Sequence, residues 1–393
     1  MLWFLENFYI LYEKDKMILN YEGKKEEQEI INNIKEINLK SITGNSDSIS
    51  KLIKGNNLET MKYLIDKMGL KGKIDFIYID PPFATKNIFR ISEGKANSIS
   101  RSSSGNIAYD DSMVGAEYLE FIRERLILLK QLMSEKSSIY FHIDYKIGHY
   151  IKVLMDEIFG EENFVNDIAR IKCNPKNFSR KAYGNVKDLV LFYSKTNNYI
   201  WNDQKVPFSE EDLKRLFKKV DKNGRRYTTI PVHAPGETKN GKTGQPWKGM
   251  MPPKGRHWRS EPKVLEELDK QGLIEWSKTG VPRKIIYADE KEGKKIQDIL
   301  EFKDSQNPVY PTEKNLELLK LLIKTSSNED SIVLDCFCGS GTTLKAAHDL
   351  DRNWIGIDKS EHAINVALKK FNSSQKTLIS DKKSFEYLEQ INS

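Results

Sequence analysis

An aspartate followed at once by two prolines and an aromatic ring, Asp80-Pro81-Pro82-Phe83, closes the apolar run Ile74-Asp75-Phe76-Ile77-Tyr78-Ile79. Proline fixes φ and lacks an N–H, so two in succession end a strand's ladder and leave a rigid turn with outward, unpaired carbonyls. A carboxylate (Asp80) and a carbonyl (Pro81) held side by side can each accept one N–H bond from a single amine. An amine conjugated to a heteroaromatic ring is a poor nucleophile because its lone pair is delocalised. Two acceptors favour a more tetrahedral nitrogen and aim that lone pair at an electrophile. The Phe83 ring would stack on the ring that carries the amine. For the tetrapeptide in isolation the plainer reading is an Asp-Pro turn with a packed phenylalanine.

A second group follows the apolar segment Ile332-Val333-Leu334, where Asp335 leads into Phe337-Cys338-Gly339-Ser340-Gly341-Thr342-Thr343. Gly339 and Gly341 let a backbone turn, or approach a ligand, where a Cβ would clash. Asp358 lies 17 residues after Gly341, at the end of Trp354-Ile355-Gly356-Ile357, placed to accept hydrogen bonds from both hydroxyls of a ribose. The third glycine of a dinucleotide fingerprint is absent, as is the Gly-Lys-Ser/Thr of a phosphate-binding loop, which fits a nucleoside cofactor without a pyrophosphate. A glycine turn between strand and helix is also a structural necessity in many folds, so this motif alone is weak.

The elements around these groups alternate. Helical spacing runs through Leu58, Met61, Leu64, Ile65 and Met68, again over 117–133, 147–159 and 316–323, and after the glycine loop over 344–350. Strands are expected at 74–79, 138–144, 188–194, 332–335 and 354–357. This order predicts an α/β fold with a mostly parallel sheet and helices on both faces, in which ligands gather at the carboxyl ends of strands. Residues 1–50, charged and then rich in Ser and Asn, are expected to be a peripheral extension, and residues 84–112 a long loop without periodicity. Met17 is an alternative start.

Lys and Arg number 63 against 56 Asp and Glu, a net charge of +7, too small a bias to define a partner. Its distribution is more informative. Between Arg225 and Arg259 there are eight basic residues (Arg225, Arg226, Lys239, Lys242, Lys248, Lys254, Arg256, Arg259) against one acid, Glu237, with Tyr227, Trp247 and Trp258 interleaved. Phosphate contact with base stacking is the functional reading and a solvated charged loop the plain one. Three cysteines, Cys173, Cys336 and Cys338, suit a reduced, cytoplasmic protein, and no metal site is expected because no second Cys/His pair answers Cys336 and Cys338. No apolar run reaches the ~20 residues of a membrane span.

With both strand tips and the basic segment between them, the chain resembles the beta class of DNA amino-methyltransferases. In that class an Asp-Pro-Pro-aromatic segment comes first, a target-recognition region follows, and a Phe-x-Gly-x-Gly cofactor segment comes last. Supporting segments are Gly55-Asn56-Asn57-Leu58-Glu59, Tyr109-Asp110-Asp111, Trp247-Lys248-Gly249, Lys254-Gly255-Arg256-His257-Trp258 and Tyr310-Pro311-Thr312-Glu313-Lys314. The chain departs from the family at Asn56, where Asp is frequent and a base contact would become neutral or absent, and at Glu313, where the family carries Gln.

The resemblance implies a Rossmann-like, S-adenosylmethionine-dependent fold. It divides the chain into an N-terminal extension (1–50), a catalytic half (51–224), a target-recognition region (225–303) and a cofactor half (304–393). Asp80, Pro81, Pro82 and Phe83 would be catalytic. Pro311, Thr312, Asp335, Phe337, Gly339, Ser340, Gly341, Thr342 and Asp358 would hold S-adenosylmethionine. Arg225, Arg226, Trp247, Lys248, Lys254, Arg256, Trp258 and Arg259 would meet double-stranded DNA. The implied reaction is direct in-line methylation of adenine N6 in a flipped base, within a restriction-modification system. A homodimer and a cognate restriction endonuclease are partners to test, and no membrane is expected. Cytosine N4 methylation, or a DNA-binding protein with an inactive form of this fold, are the alternatives.

Overall fold

The computed structural model describes residues 8–13, 16–82, 87–91, 106–111, 115–175, 181–238, 240–304, 313–375 and 384–392. Phe83, Lys239, Pro311 and Thr312 lie outside the described residues. The chain forms two compact units, Met1–Gln204 with Gln297–Ser393, and Lys205–Ile296.

The first unit is built on a ten-stranded sheet. Its elements in chain order are β1 (Ile37–Gly44), β2 (Lys51–Lys54), α1 (Asn57–Asp66), β3 (Ile74–Ile79), α2 (Gly115–Leu132), β4 (Met133–Ile143), α3 (Gly148–Phe159), β5 (Phe164–Ile171), β6 (Lys187–Ser194), β7 (Ile299–Glu301), α4 (Leu316–Ser326), β8 (Ile332–Asp335), α5 (Thr342–Asp349), β9 (Asn353–Asp358), α6 (Glu361–Gln375) and β10 (Glu386–Asn392). The spatial order is β7-β5-β6-β4-β3-β8-β9-β2-β10-β1. The six strands from β4 to β10 in that order run parallel, while β6 is antiparallel to both neighbours and β1 to β10.

Alternation along each strand sorts side chains onto two faces. Ile77, Ile79, Ile139, Phe141, Leu191, Tyr193, Ile355 and Ile357 join one core with Met61 and Leu64 of α1, Leu126 and Leu129 of α2, and Ile151 and Leu154 of α3. On the other face Phe76, Tyr140 and Phe192 stack across three strands, with ring centroids 5.3 and 4.3 Å apart, and Trp354 stacks on Phe371 of α6 at 4.7 Å. The unit β3-α2-β4 leaves the middle of the sheet in one direction, and β8-α5-β9 leaves it in the other. The neighbouring tips of β3 and β8 therefore flank a topological switch point, where open α/β sheets bind their ligands.

The expectation of a peripheral residue 1–50 segment is corrected. Ile37–Gly44 is an edge strand of the main sheet, paired in register with β10, so β10 lies between β1 and β2. A hairpin of Phe8–Glu13 with Lys16–Tyr21 precedes it, and Leu19, Tyr21 and Ile30 are buried in the α1–α3 core. The strand signal was hidden because an edge strand exposes one face, and Ile37-Asn38-Leu39-Lys40 alternates only briefly. Residues 84–112 are likewise not wholly irregular, since Asn87–Ile91 and Asn106–Asp111 pair as an antiparallel ribbon.

The second unit holds a four-stranded antiparallel sheet in the order Lys219–Val220, Arg226–Pro231, Pro282–Tyr287, Ile274–Trp276. A short ribbon pairs His233–Pro235 with Arg256–Trp258, and Lys205–Val206 pairs with Lys294–Lys295 where the chain enters and leaves. The unit begins ahead of Arg225 because the helix Glu210–Leu216, capped reciprocally by Ser209 and Asp212, belongs to it; Lys294 binds Asp212 at 2.6 Å. Its small core contains Val232, Trp247, Trp258, Leu265 and Ile274.

Candidate active site

Strand register brings the predicted tips together. Phe76 and Ile77 of β3 pair with Val333 and Leu334 of β8, and Asp335 pairs with Gly356 of β9. Asp80, Asp335 and Asp358 therefore stand at the carboxyl ends of three adjacent parallel strands.

Asp80 is a part-buried carboxylate with two different oxygens. Oδ2 accepts from the Lys314 ammonium, and the two side chains keep only 16% and 10% of their exposure. Oδ1 is buried and has no hydrogen-bond partner among the described residues. An acceptor buried in this way costs free energy on the order of 1–3 kcal/mol, more when charged, unless a donor arrives from elsewhere. The turn behind it is pinned, because the hydroxyl of Tyr118 from α2 donates to the Pro82 carbonyl at 2.6 Å.

Beneath this turn a buried polar chain crosses the sheet. The Tyr78 hydroxyl lies 2.6 Å from His142 Nδ1, and His142 Nε2 lies 3.3 Å from Asp188 Oδ2. A carboxylate only accepts, so Nε2 carries the proton to Asp188 and Nδ1 accepts from Tyr78. Burial lowers the His142 pKa, which favours this neutral imidazole. Burial pushes the Asp188 carboxyl up, but His142 and Lys172 outweigh it and hold the group below the usual carboxylate range.

On the cofactor side Asp335 is 3% exposed and turned into its own loop, where Oδ1 accepts from the Phe337 N–H at 3.0 Å. Burial pushes its carboxyl up to about 7, with the charges of Asp80 and Asp358 adding to the shift and the hydroxyl of Thr343 opposing it. Asp358 accepts from the Gly339 N–H at 2.9 Å through Oδ2 and from the Ser360 N–H at 2.8 Å through Oδ1. Burial raises its pKa as well. It has no ion-pair partner among the described residues, and a carboxylate's four acceptor sites are not all taken by these N–H groups, the chemistry that a ribose hydroxyl would complete.

Gly339 and Gly341 both have positive φ, 48° and 75°. At Gly341 a Cβ would also come within 3.1 Å of Ala367, so that glycine lets α6 pass close behind the loop. Ser340 and Thr342 are buried beside it, and the Phe337 ring meets Phe121 at 6.1 Å. A cleft of about 420 Å³ opens here, lined by Lys303, Glu313, Lys314, Thr342, Lys345 and Lys370 among others.

The departures from the family find physical explanations. Asn56 caps α1, its Oδ1 accepting from the Leu58 and Glu59 N–H groups at 2.9 and 3.4 Å, a task that Asn and Asp perform equally well. Glu313 accepts from Lys370 at 2.8 Å and from Thr342 at 3.3 Å, so the charge gained over Gln is answered by an ammonium. Residues without an assigned role also bear on the site. Asn57 donates to the Cys336 carbonyl at 2.9 Å and accepts from Arg125, a buried guanidinium stacked 3.5 Å over Phe121. Tyr118 and Arg125 sit inside a helix whose apolar periodicity drew attention away from them. Lys314 lay in a quoted segment, but only proximity in space connects it with Asp80.

The residues expected to meet DNA separate into two groups. Trp247 and Trp258 are each 2% exposed and meet edge to face at 6.0 Å, with their indole N–H groups bound to Glu266 and the Gln245 carbonyl. The DNA contact expected of them is corrected to core packing. Arg225 is held by Asp289 at 2.8 Å and Glu290 at 3.0 Å, Lys248 by Asp269 and Glu266, and Arg226 reaches the Phe217 carbonyl at 3.4 Å. Lys254, Arg256 and Arg259 are exposed and pair with no carboxylate among the described residues.

Residues 74–369 match the family model described as DNA methylase. The chain is 39% identical to the type II methyltransferase M.EcaI of Enterobacter cloacae, over 91% of this chain and 78% of that protein. It is 26% identical to the Mod subunit of the type III restriction-modification enzyme StyLTI of Salmonella typhimurium, over 79% of this chain but only 51% of that subunit. The crystal structure of the M1.HpyAVI–SAM complex overlaps with a TM-score of 0.42 at 17% identity, over 81% of this chain and 99% of that one. No helix among the described residues is long and apolar enough to cross a membrane.

Proposed function

Since the chain belongs to the DNA methylase family, we propose that it is a site-specific DNA methyltransferase that moves a methyl group from S-adenosylmethionine to adenine N6 in double-stranded DNA. The observation that carries the reading is the buried Oδ1 of Asp80 at the switch point, an acceptor with no donor among the described residues. The target amine supplies that donor, and the Pro81 carbonyl takes its second N–H. A base inside a duplex cannot reach this recess, so the target base is flipped.

S-adenosylmethionine, when bound, supplies an electrophilic methyl group. Asp358 takes its ribose hydroxyls, and the loop from Phe337 to Thr342, shaped from within by Asp335, holds the rest of the molecule. Pro311 and Thr312 complete this wall by family resemblance. Asp at the first position of the catalytic turn and Phe83 at the fourth favour adenine over cytosine. The Mod-subunit relatives fit a restriction-modification role, with a cognate endonuclease and a homodimer as partners. A DNA substrate fits a cytoplasmic enzyme. Within the second unit, Lys254, Arg256 and Arg259 are the phosphate and base contacts we assign.

The test is incubation with S-adenosylmethionine and mixed-sequence duplex DNA, followed by mass spectrometry of the nucleosides. N6-methyladenine should accumulate, and Asp80→Ala should lower its rate by about 10²–10³-fold while cofactor affinity stays within a few-fold. N4-methylcytosine as the product would overturn the adenine assignment, and a near wild-type rate for Asp80→Ala would overturn the site.

A further inference from the structure

The ion pair at the catalytic turn raises a question that methyl transfer alone does not answer. A carboxylate meant to accept from a neutral amine has one of its oxygens already occupied by an ammonium. Lys314 and Asp80 are both largely withdrawn from solvent, and among the described residues no other ion pair involves Asp80, Asp335 or Asp358. Of the three carboxylates at adjacent strand tips, Asp80 alone has a paired cation among the described residues.

Removing the partner of a buried charge costs far more than a surface ion pair contributes. The pair also constrains geometry. With Oδ2 held by Lys314, rotation of the carboxylate about its Cβ–Cγ bond is restricted, and Oδ1 is left as the oxygen without a partner among the described residues. The neighbouring residues explain why this ammonium is well placed. Glu313 turns the other way, to Thr342 and Lys370 at the cofactor loop, and Asn315 caps α4 through the N–H groups of Glu317 and Leu318. Three successive side chains anchor the cofactor loop, the catalytic turn and a helix start, so Lys314 projects from a strap fixed on either side.

We propose that Lys314 is the positioning residue of the catalytic turn: its ammonium locks Asp80 through Oδ2 so that Oδ1 is presented to the amine that will be methylated. The inference rests on the methyl-transfer reading above. Lys314 touches neither the amine nor the methyl group. Its effect is on the alignment of Asp80, and a misplaced catalytic group costs about 10²-fold in rate.

The experiment compares wild type, Lys314→Met, Lys314→Gln and Lys314→Arg as purified full-length chains. Affinity for S-adenosylmethionine is measured by calorimetry, and kcat and KM on duplex DNA by transfer of a labelled methyl group. The Met and Gln variants should lose about 10²-fold in kcat, with KM for DNA and cofactor affinity within about three-fold of wild type, and Arg should recover most of the loss. Retained cofactor affinity shows that a slow variant is folded; should Met fail to bind cofactor, Gln and Arg decide. A kcat within two-fold of wild type in Met or Gln would overturn the proposal, as would a loss confined to KM. A faster Met variant would overturn it too, since the ammonium would then compete with the amine for Asp80. Wild-type chain that methylates no DNA would instead refute the methyl-transfer reading, so the two failures are distinguishable.

Discussion

The two units of this chain place their charges differently, withdrawn from solvent at the strand tips of one and at the surface of the other. In the sheet unit, acids are gathered at three strand tips, Asp80 is paired with the Lys314 ammonium, and its other oxygen has no donor among the described residues. In the Lys205–Ile296 unit, three cations of the basic part of the sequence are answered in space by acids from later in the chain. Asp289 and Glu290 hold Arg225, Asp269 and Glu266 hold Lys248, and Glu275 holds Lys219. In the first unit Asp80 Oδ1 is the one carboxylate oxygen among the buried side-chain atoms without a partner in the described residues. In the second, ion pairs tie part of the basic stretch to the scaffold, while Lys254, Arg256 and Arg259 pair with no carboxylate among the described residues and are the contacts proposed above.

The largest effect that would break this contrast is structural. If Trp258 is core, Trp258→Ala should destabilise the second unit by about 3–5 kcal/mol, seen as an earlier unfolding transition. A variant that keeps wild-type unfolding but loses DNA affinity would return the ring to the DNA-facing set. Next comes charge. Arg256→Ala should weaken DNA binding at all sequences and reduce the slope of log affinity against log salt by about one, whereas Arg225→Ala should change that slope less, because its guanidinium is already occupied. Equal slopes for the two variants would erase the distinction.

The smallest effect concerns Asp335. Its folded pKa, about 7, lies above the ordinary 3.8, so the fold favours the protonated form. The stability this contributes is complete below about pH 4 and is lost as pH rises through 7. Melting temperature should therefore fall across that window, and Asp335→Asn should flatten the fall. An unchanged slope in the variant would show that another group governs it.

Much of the candidate site's geometry was legible from residue order. Apolar runs of strand length ending in Asp80, Asp335 and Asp358 had to be neighbouring tips once helices alternated with them, because parallel sheets gather ligands at one edge. Phe83, Pro311 and Thr312 lie outside the described residues, and their roles rest on resemblance. What was not legible depended on contacts distant in sequence. The Lys314–Asp80 pair spans 234 positions, and the acids that neutralise Arg225 and Lys248 lie beyond the window in which the basic bias was counted. The tryptophans misled because a ring next to Arg and Lys looks the same in sequence whether it stacks on a base or fills a small core. The edge strand Ile37–Gly44 escaped notice because its pairing partner comes at the other end of the chain.

That partner has a consequence for how the protein is made. β10 lies between β1 and β2, and the buried ion pair of Lys51 with Glu386, 2.6 Å long, fastens it across 335 positions of sequence. During synthesis β1 and β2 emerge early and must wait, with unpaired edges, until β10 leaves the ribosome. Folding of this edge is therefore a late ring closure over most of the chain, slow by its contact order and exposed to edge-to-edge association while it waits.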